Sequence, residues 1–193
     1  MSGRFFLDTN ILVYAALQPD HRSEIARGLL VRRGVISVQV LNEFANVASR
    51  KLRRSWPEIH QALAAIRTLC APVPAIGLAT HETAVRIAGQ TGYQFYDALI
   101  IAAAMEAGCD TLFSDDMQNG RVIDGRLTIR DPFNPNFAVF SAQAIDATQD
   151  WNGALSTPLP FRPPASRTLG AALASGWCGR SASSVLRSKP CCG

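Results

Sequence analysis

Phe5-Phe6-Leu7-Asp8-Thr9-Asn10-Ile11-Leu12 decides how the rest of the chain is read, because a run of bulky apolar residues ends abruptly on a carboxylate and two small polar residues. A run that is apolar on both faces suits a strand buried in the middle of a sheet. In an open α/β sheet, ligands bind at the carboxyl ends of the strands. Asp8 is therefore expected at the sheet rim, with Thr9 and Asn10 leading into a helix from Ile11 to Leu17. Two readings of Asp8 stay open at this point. It caps that helix, a position that Asp, Thr and Asn all favour, or it is the first ligand of a hard cation.

Outward from this stretch, apolar runs and helical periodicities alternate. Pro19-Asp20 breaks the chain before a helix from about His21 to Arg33, which Gly34 ends. Val35-Ile36-Ser37-Val38 reads as a second buried strand. Val40, Leu41, Phe44, Val47 and Ala48 then recur at helical spacing, with Glu43 opposite that stripe or at its border. Pro57 opens a further helix at its first turn, a weak strand is expected around Val73 to Ile76, and a helix from Thr80 to Thr91 ends at Gly92. Tyr96-Asp97-Ala98-Leu99-Ile100-Ile101-Ala102-Ala103-Ala104 is so apolar that it should be buried on most sides, yet it begins on an acid. Asp97 there sits at the positive end of the helix dipole. Thr111-Leu112-Phe113 repeats the opening pattern, a short buried strand ending in Ser114-Asp115-Asp116. Val122-Ile123 and Leu127-Thr128-Ile129 are two short extended pieces joined at Asp124-Gly125, and Asp131-Pro132-Phe133 closes the compact part.

This alternation predicts an α/β domain with a mostly parallel sheet, flanked by helices on both faces. With 193 residues, 48% of them hydrophobic, the chain is long enough for one domain with a substantial core. That domain is expected over residues 1–140. Residues 141–193 shift to Ala, Ser, Pro, Gly and Arg and are expected to be a disordered or loosely packed tail, with Trp151 and Trp177 as the features that argue otherwise. The net charge of +4 comes mostly from that tail. In the body, Arg50, Lys51, Arg53 and Arg54 form a basic cluster suited to phosphates, or equally to a solvated helix end. No long apolar run suggests a membrane helix or signal peptide, and the cysteines lack metal-site spacing. A cytoplasmic protein with free thiols is the expectation.

Strand ends at Asp8 and Asp116, with Glu43 and Asp97 early in helices, can bring four acids to one rim. Two carboxylates ~5 Å apart repel by about 3 kcal/mol at an effective dielectric of ~20, so such a cluster calls for a positive ion. Acid-only ligands suit magnesium or manganese, whereas zinc would want His or Cys. Ions of this kind activate water for in-line attack on a phosphodiester.

These segments resemble the PIN-domain ribonucleases, and within them the VapC-type toxins of bacterial toxin–antitoxin pairs. The resemblance rests on Leu7-Asp8-Thr9-Asn10-Ile11-Leu12, on Asn42-Glu43-Phe44, on Tyr96 to Ala104 followed by Gly108-Cys109-Asp110-Thr111-Leu112, and on Phe113 to Gly120. It implies a Mg²⁺-dependent endoribonuclease, Mn²⁺ substituting, in which Asp8 and Asp97 hold the metal and Glu43 and Asp116 complete the site. Thr9 or Asn10, and Ser114, match supporting polar residues. The family pattern of a hydroxyl residue, any residue, then Asp favours Asp116 as the fourth acid, with Asp115 as the second candidate. The resemblance further implies an RNA substrate, a homodimer and a small antitoxin partner. Two rival readings fit the residues less well. A phosphoacceptor receiver-like domain needs a late lysine, and the body has only Lys51. A non-catalytic PIN-fold module binding RNA or a partner would gain by losing negative charge that faces phosphate.

Overall fold

Leu7 donates its amide to the Val35 carbonyl at 2.9 Å, and the Asp8 amide bonds the Phe113 carbonyl at 3.0 Å, so the segment before Asp8 is gripped from both sides. The computed structural model describes residues 3–17, 20–71, 73–135 and 147–156. In chain order its elements are β1 (Phe5–Leu7), α1 (Thr9–Leu17), α2 (Arg22–Val31), α3 (Val38–Arg50), α4 (Trp56–Leu69), α5 (Leu78–Thr91), α6 (Phe95–Glu106), β2 (Thr111–Phe113), β3 (Val122–Ile123), β4 (Leu127–Arg130) and α7 (Ala147–Ser156).

The strands form one sheet in the order β1-β2-β4-β3. β1 and β2 are parallel, as are β2 and β4, and β3 returns antiparallel along β4. Successive strand residues point to opposite faces, and Phe6, Leu7 and Leu112 are fully buried with Phe113 nearly so. Both faces of the sheet are therefore covered, the α/β arrangement that the alternating pattern predicts. Leu7, Phe113 and Arg130 lie level across the three parallel strands. One step further along, the sheet delivers Asp8, Ser114 and Asp131 to the same rim.

Two expected strands are not built. Val35 makes only a single parallel bridge to Phe6, because Ser37 turns the chain at once by capping α3, its hydroxyl accepting from the Val40 amide at 3.5 Å. Residues 73–76 form no strand. Gly34 does not supply the left-handed cap of α2 either. Arg33 takes that conformation, with φ 60°. Gly34 instead lies against β1, where a Cβ would stand 2.6 Å from Leu7 Cδ1 and 2.7 Å from the Phe5 ring. Only hydrogen fits there, and the closeness is what seats the strand carrying Asp8.

α6 is buried continuously from Ala98 to Met105, and its small residues at 102–104 let it sit deep in the core. Cys70 and Cys109 are buried free thiols, pushed up to about 12 and about 11 by burial. Such thiols are inert at neutral pH. No helix among the described residues is long and apolar enough to cross a membrane.

The boundary expected at residue 140 needs correction. α7 packs against α2 and α4, Gln61 Nε2 donates to the Leu155 carbonyl at 3.1 Å, and Trp151 is 3% exposed. The Trp151 indole reaches the core, and Ala154 and Leu155, three and four residues further along the same helix, pack against it. The remaining tail residues, including Trp177, lie outside the described residues. Truncation separates the two parts. A chain ending at residue 140 loses the Trp151 contacts, worth about 3 kcal/mol for a buried indole, and should melt roughly 5–10 °C below the full chain. A chain ending at residue 156 should melt as the full chain does. Equal melting temperatures for both truncations would show that α7 contributes nothing.

Candidate active site

Asp8 leaves β1 at the rim and is 4% exposed, the most buried of the acids proposed from sequence. Its Oδ1 accepts the Thr9 amide at 2.6 Å as α1 begins. Asp8 thus stands directly before α1 and beside the other acids, the place that both readings of the sequence assign to it. Asn10, one residue further into α1, aims its side-chain amide at three oxygens: Asp8 Oδ2 at 3.4 Å, Ser114 Oγ at 3.2 Å and Asp116 Oδ1 at 2.9 Å. Ser114 in turn donates to Asp116 Oδ1 at 2.8 Å and accepts the Met117 amide at 3.3 Å. These bonds tie the end of β1 to the turn after β2.

Glu43 arrives from α3. Its Oε2 accepts the Thr9 hydroxyl at 2.9 Å, and its Oε1 accepts Gln39 Nε2 at 2.7 Å, one helical turn earlier. Asp97, in the first turn of α6, is half-buried and joins the group electrostatically. Burial raises its carboxyl above the ordinary range, and the charges of Asp116 and Glu43 add to that. Asp8 is displaced furthest. Burial, then the charge of Asp116 and more weakly that of Glu43, push it up to about 7, against the opposing bonds from Ser114 and the Thr9 amide. Each of the four acids therefore feels at least one of the others.

Asp115 goes elsewhere. Its Oδ2 accepts the Tyr14 hydroxyl at 2.8 Å and lies 3.4 Å from Arg22 Nη1. Between the two adjacent candidates, the geometry brings Asp116 into the cluster and turns Asp115 to a separate ion pair. Tyr14, Arg22 and Gln39 were not singled out in the sequence. Gln39 alone left a signal, its spacing of four from Glu43 on one helix face.

A family model of the PIN domain matches residues 5–121, more than half of the chain. The chain belongs to the PIN domain family. Its fold is similar to that of VapBC2 from Rickettsia felis, solved bound to a DNA fragment from the promoter of that pair. The identity is 19% and the TM-score 0.51, covering 66% of this chain and 97% of that one. VapC20 of Mycobacterium tuberculosis, a toxin that cleaves the sarcin-ricin loop, aligns at 24% identity and TM-score 0.49 over 58% of this chain and 89% of that one. No curated protein matches by sequence.

The resemblance implies a divalent metal for this PIN domain. Among the described residues, no three His, Cys, Asp or Glu side chains stand ready to bind one ion by themselves. The donor chemistry fits magnesium all the same, since that ion takes one or two carboxylates and keeps several waters. Asp8 and Asp116 share one amide, and Asn10 Oδ1 beside them is buried with no partner among the described residues.

Arg50, Lys51, Arg53 and Arg54 are exposed beyond the acids. Arg54 reaches the Leu17 carbonyl at 3.4 Å, at the end of α1 remote from Asp8, and pairs with Glu58 at 3.5 Å.

The raised pKa of Asp8 fixes how stability follows pH. A carboxyl held above its unfolded value favours the protonated fold, so its contribution is fully present below pH ~4 and is lost as pH rises to about 7. Metal-free protein should lose of order 2–4 kcal/mol over that window, at ~1.4 kcal/mol per pKa unit. Asp8→Asn should flatten the decline. Thermal melts across pH 4–8, in EDTA, measure it. A wild-type curve no steeper than that of the variant would mean that Asp8 ionises freely.

Proposed function

We propose that this PIN domain is a divalent-metal-dependent endoribonuclease that hydrolyses RNA phosphodiester bonds, the toxin of a toxin–antitoxin pair. The observation that carries the reading is Asp8: a carboxyl buried and pushed up to about 7 by burial and by Asp116, tied to Asp116 through Asn10 and Ser114 and to Glu43 through Thr9. A fold gains nothing from crowding anions unless a cation joins them. That favours catalysis over a binding-only module, for which the buried charge would be a cost without use.

In this reading Asp8 and Asp97 hold magnesium directly, Glu43 and Asp116 complete the site through the waters that the ion keeps, and manganese can substitute. A divalent ion held by these residues would supply Lewis-acid chemistry for in-line hydrolysis of a phosphodiester. Asp8 gives up its proton as the site loads, so metal affinity should weaken as pH falls below about 7. Asn10 holds Asp8 and Asp116 at a fixed separation, and Ser114 fixes the rotamer of Asp116. Thr9 and Gln39 between them occupy both oxygens of Glu43 and set its direction. Arg50, Lys51, Arg53 and Arg54 contact RNA phosphates away from the scissile bond. The protein acts in the cytoplasm, where its partner is a small cognate antitoxin. A second copy covers Leu78 and Val85, which are 73% and 53% exposed and share one face of α5.

Purified protein incubated with structured RNA in Mg²⁺ or Mn²⁺ should cleave it, with Asp8→Asn and Asp97→Ala each slowing cleavage by 100-fold or more. Expression should arrest growth, and Asp97→Ala should relieve the arrest. Cleavage that survives both EDTA and Asp8→Asn rejects the metal-dependent reading, and undisturbed growth at good expression of folded protein rejects the toxin reading. Light scattering checks the dimer. A monomer at tens of micromolar, or a dimer that persists in Leu78→Glu, removes that part.

A further inference from the structure

Beside the carboxylate group lies a second charged cluster that the proposed chemistry does not use. Arg22 Nη2 and Nε grip Asp20 Oδ2 at 3.0 and 3.2 Å, while Nη1 donates to the Tyr14 hydroxyl at 2.6 Å and lies 3.4 Å from Asp115 Oδ2. Tyr14 donates a hydrogen bond from its hydroxyl to Asp115 Oδ2 at 2.8 Å. The guanidinium also lies over the Tyr14 ring, 3.8 Å from its centroid, and 5.8 Å from that of Phe133. Tyr14 and Phe133 meet edge to face at 5.1 Å. Three segments thus converge on one cation: the α1–α2 turn through Asp20, the turn after β2 through Asp115, and the chain after β4 through Phe133.

The sequence places two carboxylates side by side, Asp115 and Asp116, and only one of them bonds to Asn10 and Ser114. Either could serve a cation. Adjacent residues in a turn point in different directions, so holding one determines the direction of the other. We propose that Arg22 is a positioning residue which, with Tyr14, holds and neutralises Asp115 so that Asp116 alone of the pair faces the metal-binding carboxylates. A lysine cannot replace it. The planar fork serves Asp20, Tyr14 and Asp115 together, whereas an ammonium is a point charge without that spread. The Arg22 side chain is only 30% exposed and its carboxylate partner Asp115 18%, so water cannot fully take over the neutralisation.

The inference rests on the nuclease reading for its kinetic part only, and three measurements keep the two apart. The first needs no metal. Thermal melts in EDTA of Arg22→Met, Asp115→Asn and the double variant should be non-additive, the double variant melting higher than the sum of the single losses predicts. Additive losses mean that Arg22 and Asp115 do not act on each other, and overturn the proposal whatever the protein catalyses. The second uses Mn²⁺ alone. Arg22→Met leaves an extra anion uncompensated beside Asp116 and should bind Mn²⁺ at least threefold tighter by calorimetry, a gain that Asp115→Asn abolishes. Unchanged or weaker binding by folded Arg22→Met overturns it.

The third is cleavage. Arg22→Met should lower kcat by tenfold or more with KM within about twofold, and adding Asp115→Asn should restore most of the rate. A rise in KM without rescue would assign Arg22 to RNA contact and overturn the positioning role. If Arg22→Met does not fold, Tyr14→Phe keeps the ring and removes the bridging hydroxyl, and should shift Mn²⁺ affinity in the same direction. Wild-type protein that passes the first two tests yet cleaves no RNA in Mn²⁺ defeats the nuclease reading and leaves the Arg22 assignment standing.

Discussion

One buried carboxyl, pressed by burial and by its acidic neighbours, sets the terms for the rest of this molecule. Asp8 ends β1 inside the protein, where burial and the neighbouring Asp116 both oppose its ionisation. An isolated ionised carboxylate in such surroundings costs several kcal/mol and in practice stays protonated. Nothing in the packing requires an acid here, because a neutral residue such as Asn or Ser would accept the Thr9 amide equally well. The fold therefore carries a standing penalty at its rim, and the simplest account of its persistence is an ion that removes it.

The scaffold around Asp8 is built to keep that penalty localised. β1 has three residues, and a strand so short would slip if held from one side only. It is bonded by Val35 on one edge and by β2 on the other, while Gly34 lies too close to Leu7 and Phe5 for any larger residue. Parallel pairing then makes the register of β1, β2 and β4 common. A one-residue slip would turn every side chain to the opposite face and carry Asp8 away from Ser114. The same constraint reaches the helices. α6 can bring Asp97 alongside because its run of alanines allows close packing, and Thr9 links the start of α1 to Glu43 on α3.

Much of this was legible in the sequence because it depends on local chemistry. Apolar triplets ending on acids marked β1 and β2, and the unbroken apolar run after Asp97 marked a buried helix. What escaped has physical reasons. The Val35 strand reduced to one bridge because Ser37 is a stronger helix cap than Ile36 and Val38 are strand formers, a contest of neighbours that propensity does not rank. α7 was not expected because its apolar face is short, Trp151 with Ala154 and Leu155, and sits in a segment whose composition reads as tail. The family pattern favours Asp116 over Asp115, and the structure pairs Asp115 with Arg22, 93 residues away in the chain. Long-range ion pairs leave no local trace in a sequence.

The basic segment illustrates how separation divides labour. α1 begins directly after Asp8 and runs nine residues to Leu17, about 13 Å at 1.5 Å per residue, and Arg54 bonds the carbonyl at its far end. At physiological ionic strength the screening length is ~8 Å, so these cations do little to relieve the repulsion among Asp8, Asp116, Glu43 and Asp97. Nor can they offset the repulsion between those acids and an incoming phosphate, about 4 kcal/mol for a single pair at 4 Å and an effective dielectric of ~20. In the proposed nuclease, a backbone phosphate would reach the rim only after a divalent ion had reversed the local sign. Residues 50 to 54 would then act on a different nucleotide from the one that is cut, setting where the RNA lies and leaving the bond-breaking step to the rim.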